Sequence, residues 1–530
     1  MTLAASAIGK NAAASGPRAA PAPLVAAAIF ASALVVLPIG FTIIQATGVS
    51  ARDAVDLLVR PLVGRLLFNT VGLIVAASAT CALIGAAAAW FVERTDLPGR
   101  KVWGVLAVAP LAVPPFISSY AWVSLSNGLQ DFAGALVVIT CAYYPLVYLP
   151  VAAALRGLDP ALEETARSLG QTSWGCFFRV VLPQLRPALY GGVLLVALDT
   201  LTEFGAFSLL RFRTFTTELY AQYRTGLDGP ESSLLALVLV ALCVACLIGE
   251  LKVRGGGRYA RVGAGTRRNS RLAPLAWTRW PALAGFVALI LATLGVPLGM
   301  VGYWLLQHAS AATSPVAPSL PLLLAATLAS VGYGLAGAAA AVLLAAPLGY
   351  ITTRYPSRWT VLLERTAYLA QGVPGIVVAL ALISLTVQLI RPLYQSAILL
   401  VFAYAILFLP FALVSVRAAM AQVPRGLEEA ARSLGLGWFA VARRVLAPLT
   451  GPGLGAGATI VFVFVATELT ATLLLAPIGT RTLATEVWAN TSTLAFAAAA
   501  PFAAVMLLIS LLSTWLLANR LGAVAFAGRD

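Results

Sequence analysis

The sequence predicts an all-α polytopic membrane protein with about twelve spanning helices, arranged as two parallel six-helix repeats. Three observations predict it. Of 530 residues, 60% are hydrophobic and 10% charged, with mean hydropathy +0.91, whereas a soluble domain carries about 25% charged residues. Apolar runs of about 20 residues recur, each long enough for a bilayer core of roughly 30 Å. And LEETARSLG, Leu162–Gly170, returns as LEEAARSLG, Leu427–Gly435, after 265 positions, half the chain.

The elements follow in order. A cytoplasmic tail over 1–23 precedes the first apolar run, 24–47, which is longer than the apolar region of a leader peptide and has no small-residue cleavage pattern after it. It reads as an uncleaved span behind Lys10 and Arg18. Spans at 66–92, 102–123, 133–156, 187–209 and 233–251 complete a first unit, 24–251. The segment 252–279 carries eight Lys and Arg, no acid and no apolar periodicity; it reads as a flexible cytoplasmic linker able to touch anionic membrane lipid. Spans at 280–306, 321–350, 361–388, 395–416, 451–476 and 495–518 form a second unit, 280–518, before a tail at 519–530.

With the N-terminus cytoplasmic, 27 of the 35 Lys and Arg fall in cytoplasmic positions and 8 outside. Both termini are then cytoplasmic. The net charge of +15 is a topology signal, and nucleic-acid binding by a basic face is excluded. Cys81, Cys141, Cys176, Cys243 and Cys246 lie mostly inside apolar segments and read as small core hydrophobes, Cys243-x-x-Cys246 included. The single histidine, His308, reads as a solvated loop residue.

The repeat extends beyond the nonapeptide. At offset 265, Pro145 meets Pro410, Pro183 meets Pro448, Pro187 meets Pro452, and Thr202-Glu203 meets Thr467-Glu468. Upstream the offset is 260, where Arg94 meets Arg354 and Val113-Pro114 meets Val373-Pro374. An even number of spans per half gives both halves the same orientation, as parallel repeats, and puts both nonapeptides in the cytoplasm.

Each nonapeptide predicts a short helix. Asp159-Pro160 opens the first, the aspartate as N-cap and the proline at the first helical position, and Gly170 closes it. Leu162, Ala166 and Leu169 share one apolar face, and Glu163 with Arg167 is an i,i+4 pair. Leu427, Ala431, Leu434, Glu428 and Arg432 repeat this before Gly435, without the aspartate cap. So short a helix is not stable alone in water, so something packs on it: lipid, its own bundle, or a partner. Two matched copies point to a two-fold partner.

Ionisable groups inside spans are costly and face a cavity or a partner. Asp199, Thr202 and Glu203 in span 5, with Thr467 and Glu468 in span 11, are candidates for a translocation path or gate; a structural polar contact is the other reading. Pro114 and Pro374 break spans 3 and 9, as hinges or as static kinks. The segments Leu210–Tyr220 and Ala476–Trp488, mixed aromatic and charged, are external and read as docking or capping loops. Gly453-x-x-x-Gly457 reads as close helix packing rather than a phosphate loop, since no G-x-x-x-x-G-K-[ST] occurs.

Glu164-Thr165-Ala166, Gly170 and then Val180-Val181-Leu182-Pro183 resemble the EAA-G-I-LP signature of binding-protein-dependent ABC importer permeases of type I. Glu429-Ala430-Ala431, Gly435 and Val445-Leu446-Ala447-Pro448 match at the same spacing, with alanine where leucine is usual. The resemblance implies that the two segments are coupling helices, on which Glu163, Glu164, Ala166, Gly170 and Pro183, with Glu428, Glu429, Ala431, Gly435 and Pro448, transmit nucleotide-driven closure. It implies two copies of a cytoplasmic ATP-binding subunit, a periplasmic or extracellular substrate-binding protein, a bacterial inner membrane location, and ATP bound by the partners, with no cofactor, metal or catalytic residue in this chain.

The stretches Thr202–Tyr220 and Ala466–Trp488, and the fused twelve-span layout, are similar to ferric-iron permeases, implying Fe(III) or an Fe(III) chelate as cargo. Where that subfamily often has Lys-Glu-Leu-Pro, this chain has Thr467-Glu468-Leu469-Thr470. The same machine moving thiamine, phosphonate or another small anion remains an alternative, as does an ion-coupled secondary transporter, which would need no matched helix pair.

Overall fold

The computed structural model describes residues 20–225, 229–254, 272–307 and 319–526. Expectations for the tail before residue 20, linker residues 255–271, His308 and residues 527–530 lie outside the described residues. Among the described residues the regular structure is helical, with one isolated bridge between Thr95 and Ala273. Among the described residues ten helices are long and apolar enough to cross a membrane, and two bent pairs bring the number to as many as twelve.

The first repeat runs through α1 (Ala22–Ala46), the short α2 (Ala51–Leu58) and the long α3 (Pro61–Arg94), then α4 (Arg100–Leu106), α5 (Pro115–Leu125) and α6 (Phe132–Gly157). It continues with α7 (Pro160–Ser168), α8 (Ser173–Cys176), α9 (Leu182–Thr202), α10 (Gly205–Leu209), α11 (Phe215–Arg224) and α12 (Gly229–Arg254). The second comprises α13 (Arg279–Ile290), α14 (Val296–Leu306), α15 (Leu320–Arg354), α16 (Arg358–Tyr368), α17 (Gly375–Leu389) and α18 (Ala397–Gln422). Then come α19 (Arg425–Ser433), α20 (Trp438–Val441), α21 (Ala447–Ala466), α22 (Thr470–Leu475), α23 (Leu483–Ser492) and α24 (Phe496–Phe526).

Two pairs of expected spans are corrected. Spans 3 and 9 are not straight: Arg100–Ala112 meets Pro115–Leu125 at 92°, and Arg358–Gly372 meets Gly375–Leu389 at 104°. Pro114 and Pro374 stand at the corners with the same backbone, φ −58° and ψ 141° and 140°. A proline pushes its predecessor out of the helical region, and Val113 is extended at φ −101°, ψ 109°. Spans 5 and 11 start earlier than expected and stop at Thr202 and Ala466, short of 209 and 476. Their acids sit at the break, before α10 and α22, rather than inside a continuous helix.

A further regularity comes from proline. A π-helical turn, Phe177–Val181, precedes Leu182-Pro183; Ala442–Leu446 precedes Ala447-Pro448; and Leu291–Gly295 precedes Val296-Pro297. A proline ring collides with the carbonyl four residues back. Widening the turn removes that collision: the Leu182 N–H bonds Phe177, the Ala447 N–H bonds Ala442, and the Val296 N–H bonds Leu291.

Tertiary contacts divide the chain into two compact units that cut across the repeats. One comprises Met1–Leu37, Leu335–Ala370 and Tyr404–Phe462; here a Cβ at Gly453 would sit 2.6 Å from Ala419 Cβ and one at Gly457 2.5 Å from Ser415 Cβ. The Gly453-x-x-x-Gly457 face is therefore a close helix contact, as expected. The other comprises Pro38–Gly334, Gln371–Ala403 and Val463–Asp530, with a core where α3, α6 and α9 pack around Leu73, Tyr144, Val147 and Val196. Gly192, the repeat counterpart of Gly457, lets α9 approach α6: its Cβ would lie 2.7 Å from Val147 Cα.

Candidate functional site

The nonapeptides form α7 and α19 and end alike. Gly170 and Gly435 take φ +84° and +83°, a conformation that costs side-chain-bearing residues energy. The Gly170 N–H bonds the Arg167 carbonyl at 3.0 Å and the Gln171 N–H bonds Ala166 at 3.1 Å. Gly435 to Arg432 at 3.0 Å and Leu436 to Ala431 at 3.2 Å repeat this closure, the Schellman motif. Only α7 has a side-chain cap, where Asp159 Oδ1 accepts the Ala161 N–H at 3.0 Å; α19 begins at Pro424 without one.

The structure shows how much of each apolar face this chain covers itself. Ala166 and Ala431 are buried, but Leu162, Leu169, Leu427 and Leu434 are exposed, Leu169 at 77% and Leu434 at 83%. Glu164 and Glu429 are exposed beside them. Glu163 and Glu428 face inward instead, and neither makes the expected salt bridge with the arginine one turn on. Arg94 Nη2 lies 3.0 Å from Glu163 Oε1, and Arg354 Nε lies 2.6 Å from Glu428 Oε1. These arginines end α3 and α15, so each nonapeptide helix hangs from the end of a spanning helix by a buried ion pair. Its leucines and outer glutamate point away.

The pairs have different surroundings. The Tyr350 hydroxyl donates to Glu428 Oε2 at 2.9 Å and accepts from Arg432 Nη2 at 3.3 Å, which joins Glu428 to Arg432 through the phenol. Arg354 Nη2 also donates to the Val423 carbonyl at 2.9 Å. In the first repeat Trp90 occupies the position of Tyr350 and packs edge-on against Phe177, ring centroids 5.0 Å apart.

The membrane acids also occupy equivalent places. Glu203 Oε1 accepts the Ala206 N–H at 2.8 Å and Glu468 Oε1 accepts the Ala471 N–H at 3.0 Å, so each caps the short helix after its break. The Tyr143 hydroxyl donates to Glu203 Oε2 at 3.1 Å. Glu203 lies within electrostatic reach of Asp199 and of Glu468. Among the described residues, no Lys or Arg pairs with any of the three. Thr202 and Thr467 spend their hydroxyls on their own helices, at the Asp199 carbonyl (3.2 Å) and the Val463 carbonyl (2.9 Å).

The proline breaks meet the acid breaks. α5 packs on α10, and α17 on α22. At the first contact Gly205 leaves no room for a side chain, since a Cβ would lie 2.8 Å from Leu469 and 2.9 Å from Phe116. The expected external loops are the capped helices α11 and α23. The Thr214 N–H bonds Thr217 Oγ1 and the Thr482 N–H bonds Thr485 Oγ1, each at 2.9 Å, and repeat-related Tyr220 and Trp488 touch edge to face at 5.7 Å.

The model of binding-protein-dependent transport system inner membrane components matches twice, at residues 81–251 and 342–519, once in each repeat. The chain belongs to this family. It is a multi-pass permease of the ABC importer class, a membrane component that works with ATP-binding subunits and a substrate-binding protein. The permease is 35% identical to the Fe(3+)-transport system permease protein of Haemophilus influenzae over 91% of this chain and 95% of that one. It is 29% identical to the sulfate transport system permease protein of Escherichia coli over 43% of this chain and 91% of that one. To the Escherichia coli molybdenum transport system permease protein it is 27% identical, over 30% of this chain and 78% of that one.

Sequence reasoning found the acids and glycines of the permease but missed the role of Arg94 and Arg354. The signal was present: both end a spanning helix at the same repeat position. It also missed Tyr350 and Tyr143, which carry no repeat signal, because Trp90 and Phe408 stand opposite them. Among the described residues no group of three or more His, Cys, Asp or Glu is placed to hold a metal ion.

Proposed function

We propose that this permease carries Fe(III) or an Fe(III) chelate inward, delivered by an external binding protein and driven by two copies of a cytoplasmic ATP-binding subunit, one on α7 and one on α19. Both termini are then cytoplasmic, and 24–251 and 280–518 act as two permease units joined by 252–279. The carrying observation is the matched buried pair, Arg94–Glu163 and Arg354–Glu428, beneath exposed Glu164, Glu429 and leucines. Separating a buried pair strands a charge, at a cost of about 3–5 kcal/mol, which ties each nonapeptide helix to its spanning helix. A partner closing on Glu164 and Glu429 thus pulls α3 and α15 directly. In this reading Ala166 and Ala431 seat the helices, Gly170 and Gly435 stop them, and Pro183 and Pro448 send the chain back into the membrane.

The gate is assigned to the breaks. Pro114 and Pro374 set the corners, Glu203 and Glu468 cap the short helices packed against them, and Asp199 adds a third carboxyl, with Thr202 and Thr467 alongside. Carboxyls without a paired cation disfavour an oxyanion. That supports a cationic cargo over the sulfate and molybdenum named for the half-length relatives, as does the full-length likeness to the Fe(3+) permease.

The docking claim is tested by Glu164→Lys with Glu429→Lys: the variant folds, no longer copurifies the ATP-binding subunit, and loses uptake. Retention of both overturns it. The cargo claim is tested by uptake of radiolabelled Fe(III), sulfate and molybdate into vesicles holding the complete transporter. Uptake of an oxyanion without iron overturns it.

A further inference from the structure

A groove of about 620 Å³ lies between the end of α3 and the start of α13. Ile84, Ala88 and Phe91 line one side, and Ala282, Gly285 and Leu289 the other. Phe286 is buried at its base, edge-on to Phe91 with ring centroids 6.4 Å apart and 5.6 Å from Trp103. Apart from Thr278, every lining residue is apolar.

The groove sits at the helix end that carries Arg94, where α3 finishes and α13 begins. Trp277 and Trp280 stand exposed at this end, as tryptophans do at a membrane interface. The Arg279 guanidinium lies 5.3 Å from the Trp280 ring centroid, and among the described residues it has no carboxylate partner. α4, whose Trp103 packs on Phe286, opens with Arg100 and Lys101. The neighbouring acid Asp96 is turned to the backbone, accepting the Leu275 N–H at 2.8 Å.

We propose that this groove retains one anionic phospholipid, with an acyl chain between α3 and α13 and its phosphate toward Arg279. The slot is concave and of a size that ligand sites share. Around its mouth Asp96 is engaged with the Leu275 N–H and Glu93 with Arg156, which leaves Arg279 without a carboxylate partner among the described residues, and each basic residue near a membrane surface favours anionic lipid about fivefold. Phe91 is one turn before Arg94, so the retained lipid braces the helix end from which α7 hangs.

The full-length protein is purified in mild detergent from membranes containing phosphatidylglycerol and phosphatidylethanolamine, and retained lipid is measured by mass spectrometry of the intact protein. Wild type should keep one phosphatidylglycerol per chain. Gly285→Phe, whose side chain enters open space in the groove, should lose it; Gly299→Phe, in open space on α14, should not. Arg279→Ala should lower the ratio of phosphatidylglycerol to phosphatidylethanolamine about fivefold. Equal retention in the two glycine variants, or a wild-type ratio matching the bulk membrane, overturns the proposal. Should Gly285→Phe fail to fold, an unchanged ratio in Arg279→Ala overturns it alone.

Discussion

α7 and α19 descend from one nonapeptide and hang from the membrane bundle by the same ion pair, yet they are secured differently. α7 has a capped start, Asp159 to the Ala161 N–H, and a latch in which the Glu163 side chain is 18% exposed. α19 has no side-chain cap, but its glutamate is 7% exposed and held by Arg354 and Tyr350 together. Local hydrogen bonding secures one helix and tertiary hydrogen bonding the other. What the copies share is the arrangement a moving partner would need: an inward glutamate paired with a buried arginine, an exposed glutamate facing outward, and a glycine stop.

The comparison breaks first at the ion pairs. Removing one member of a buried pair leaves the other charge stranded and costs about 3–5 kcal/mol. Arg354→Ala should reach the upper part of that range and Arg94→Ala the lower, because Glu163 is nearer solvent. Thermal unfolding in detergent checks the order, and equal losses would show the two latches to be equivalent. Charge-swapped Arg94→Glu with Glu163→Arg should recover part of the uptake that either single change removes.

Tyr350→Phe comes next. It removes a hydrogen bond to a carboxylate, about 1.5–3 kcal/mol, and should weaken α19 alone; a Trp90→Phe variant that loses coupling equally would contradict that asymmetry. Gly170→Ala and Gly435→Ala should each cost about 1–2 kcal/mol, equally, because the left-handed strain is the same in both copies. Hydrogen exchange across the helix ends reads this, and unequal protection would mean that packing rather than backbone sets the stop. The smallest effect belongs to Asp159→Ala, about 1 kcal/mol from α7 only. A loss of uptake far beyond that would make Asp159 a contact for the partner rather than a cap.

Much of this was legible beforehand, for identifiable reasons. Ten of the expected spans are helices of sufficient length, because twenty apolar residues in a chain must satisfy their own backbone in lipid. The glycine stops and the Asp159 cap were legible because they are contacts within five residues. Glu163 and Glu428 were recognised as important but given the wrong partner. The i,i+4 arginine lies nearby in sequence, but Arg167 is exposed, where a pair is worth little, and Arg432 reaches Glu428 only through Tyr350, while Arg94 and Arg354 offer the direct pairs. The apolar face of Leu162, Ala166 and Leu169 was legible, but not how it divides: this chain covers the alanine and leaves the leucines exposed. The prolines announced breaks in spans 3 and 9, but not bends of 92° and 104°.

By itself, then, the sequence determined the elements governed by local rules: where the chain is apolar, where helices begin and stop, where proline interrupts them, and that everything occurs twice. Only the tertiary structure decided which charges meet, which leucines stay uncovered, and that Glu203 and Glu468 cap the helices after their breaks instead of sitting mid-span. Backbone hydrogen bonds are satisfied by neighbours in sequence, whereas a buried charge must be satisfied by whatever the packing brings beside it, here residues 69 and 74 positions away in the Glu163–Arg94 and Glu428–Arg354 pairs.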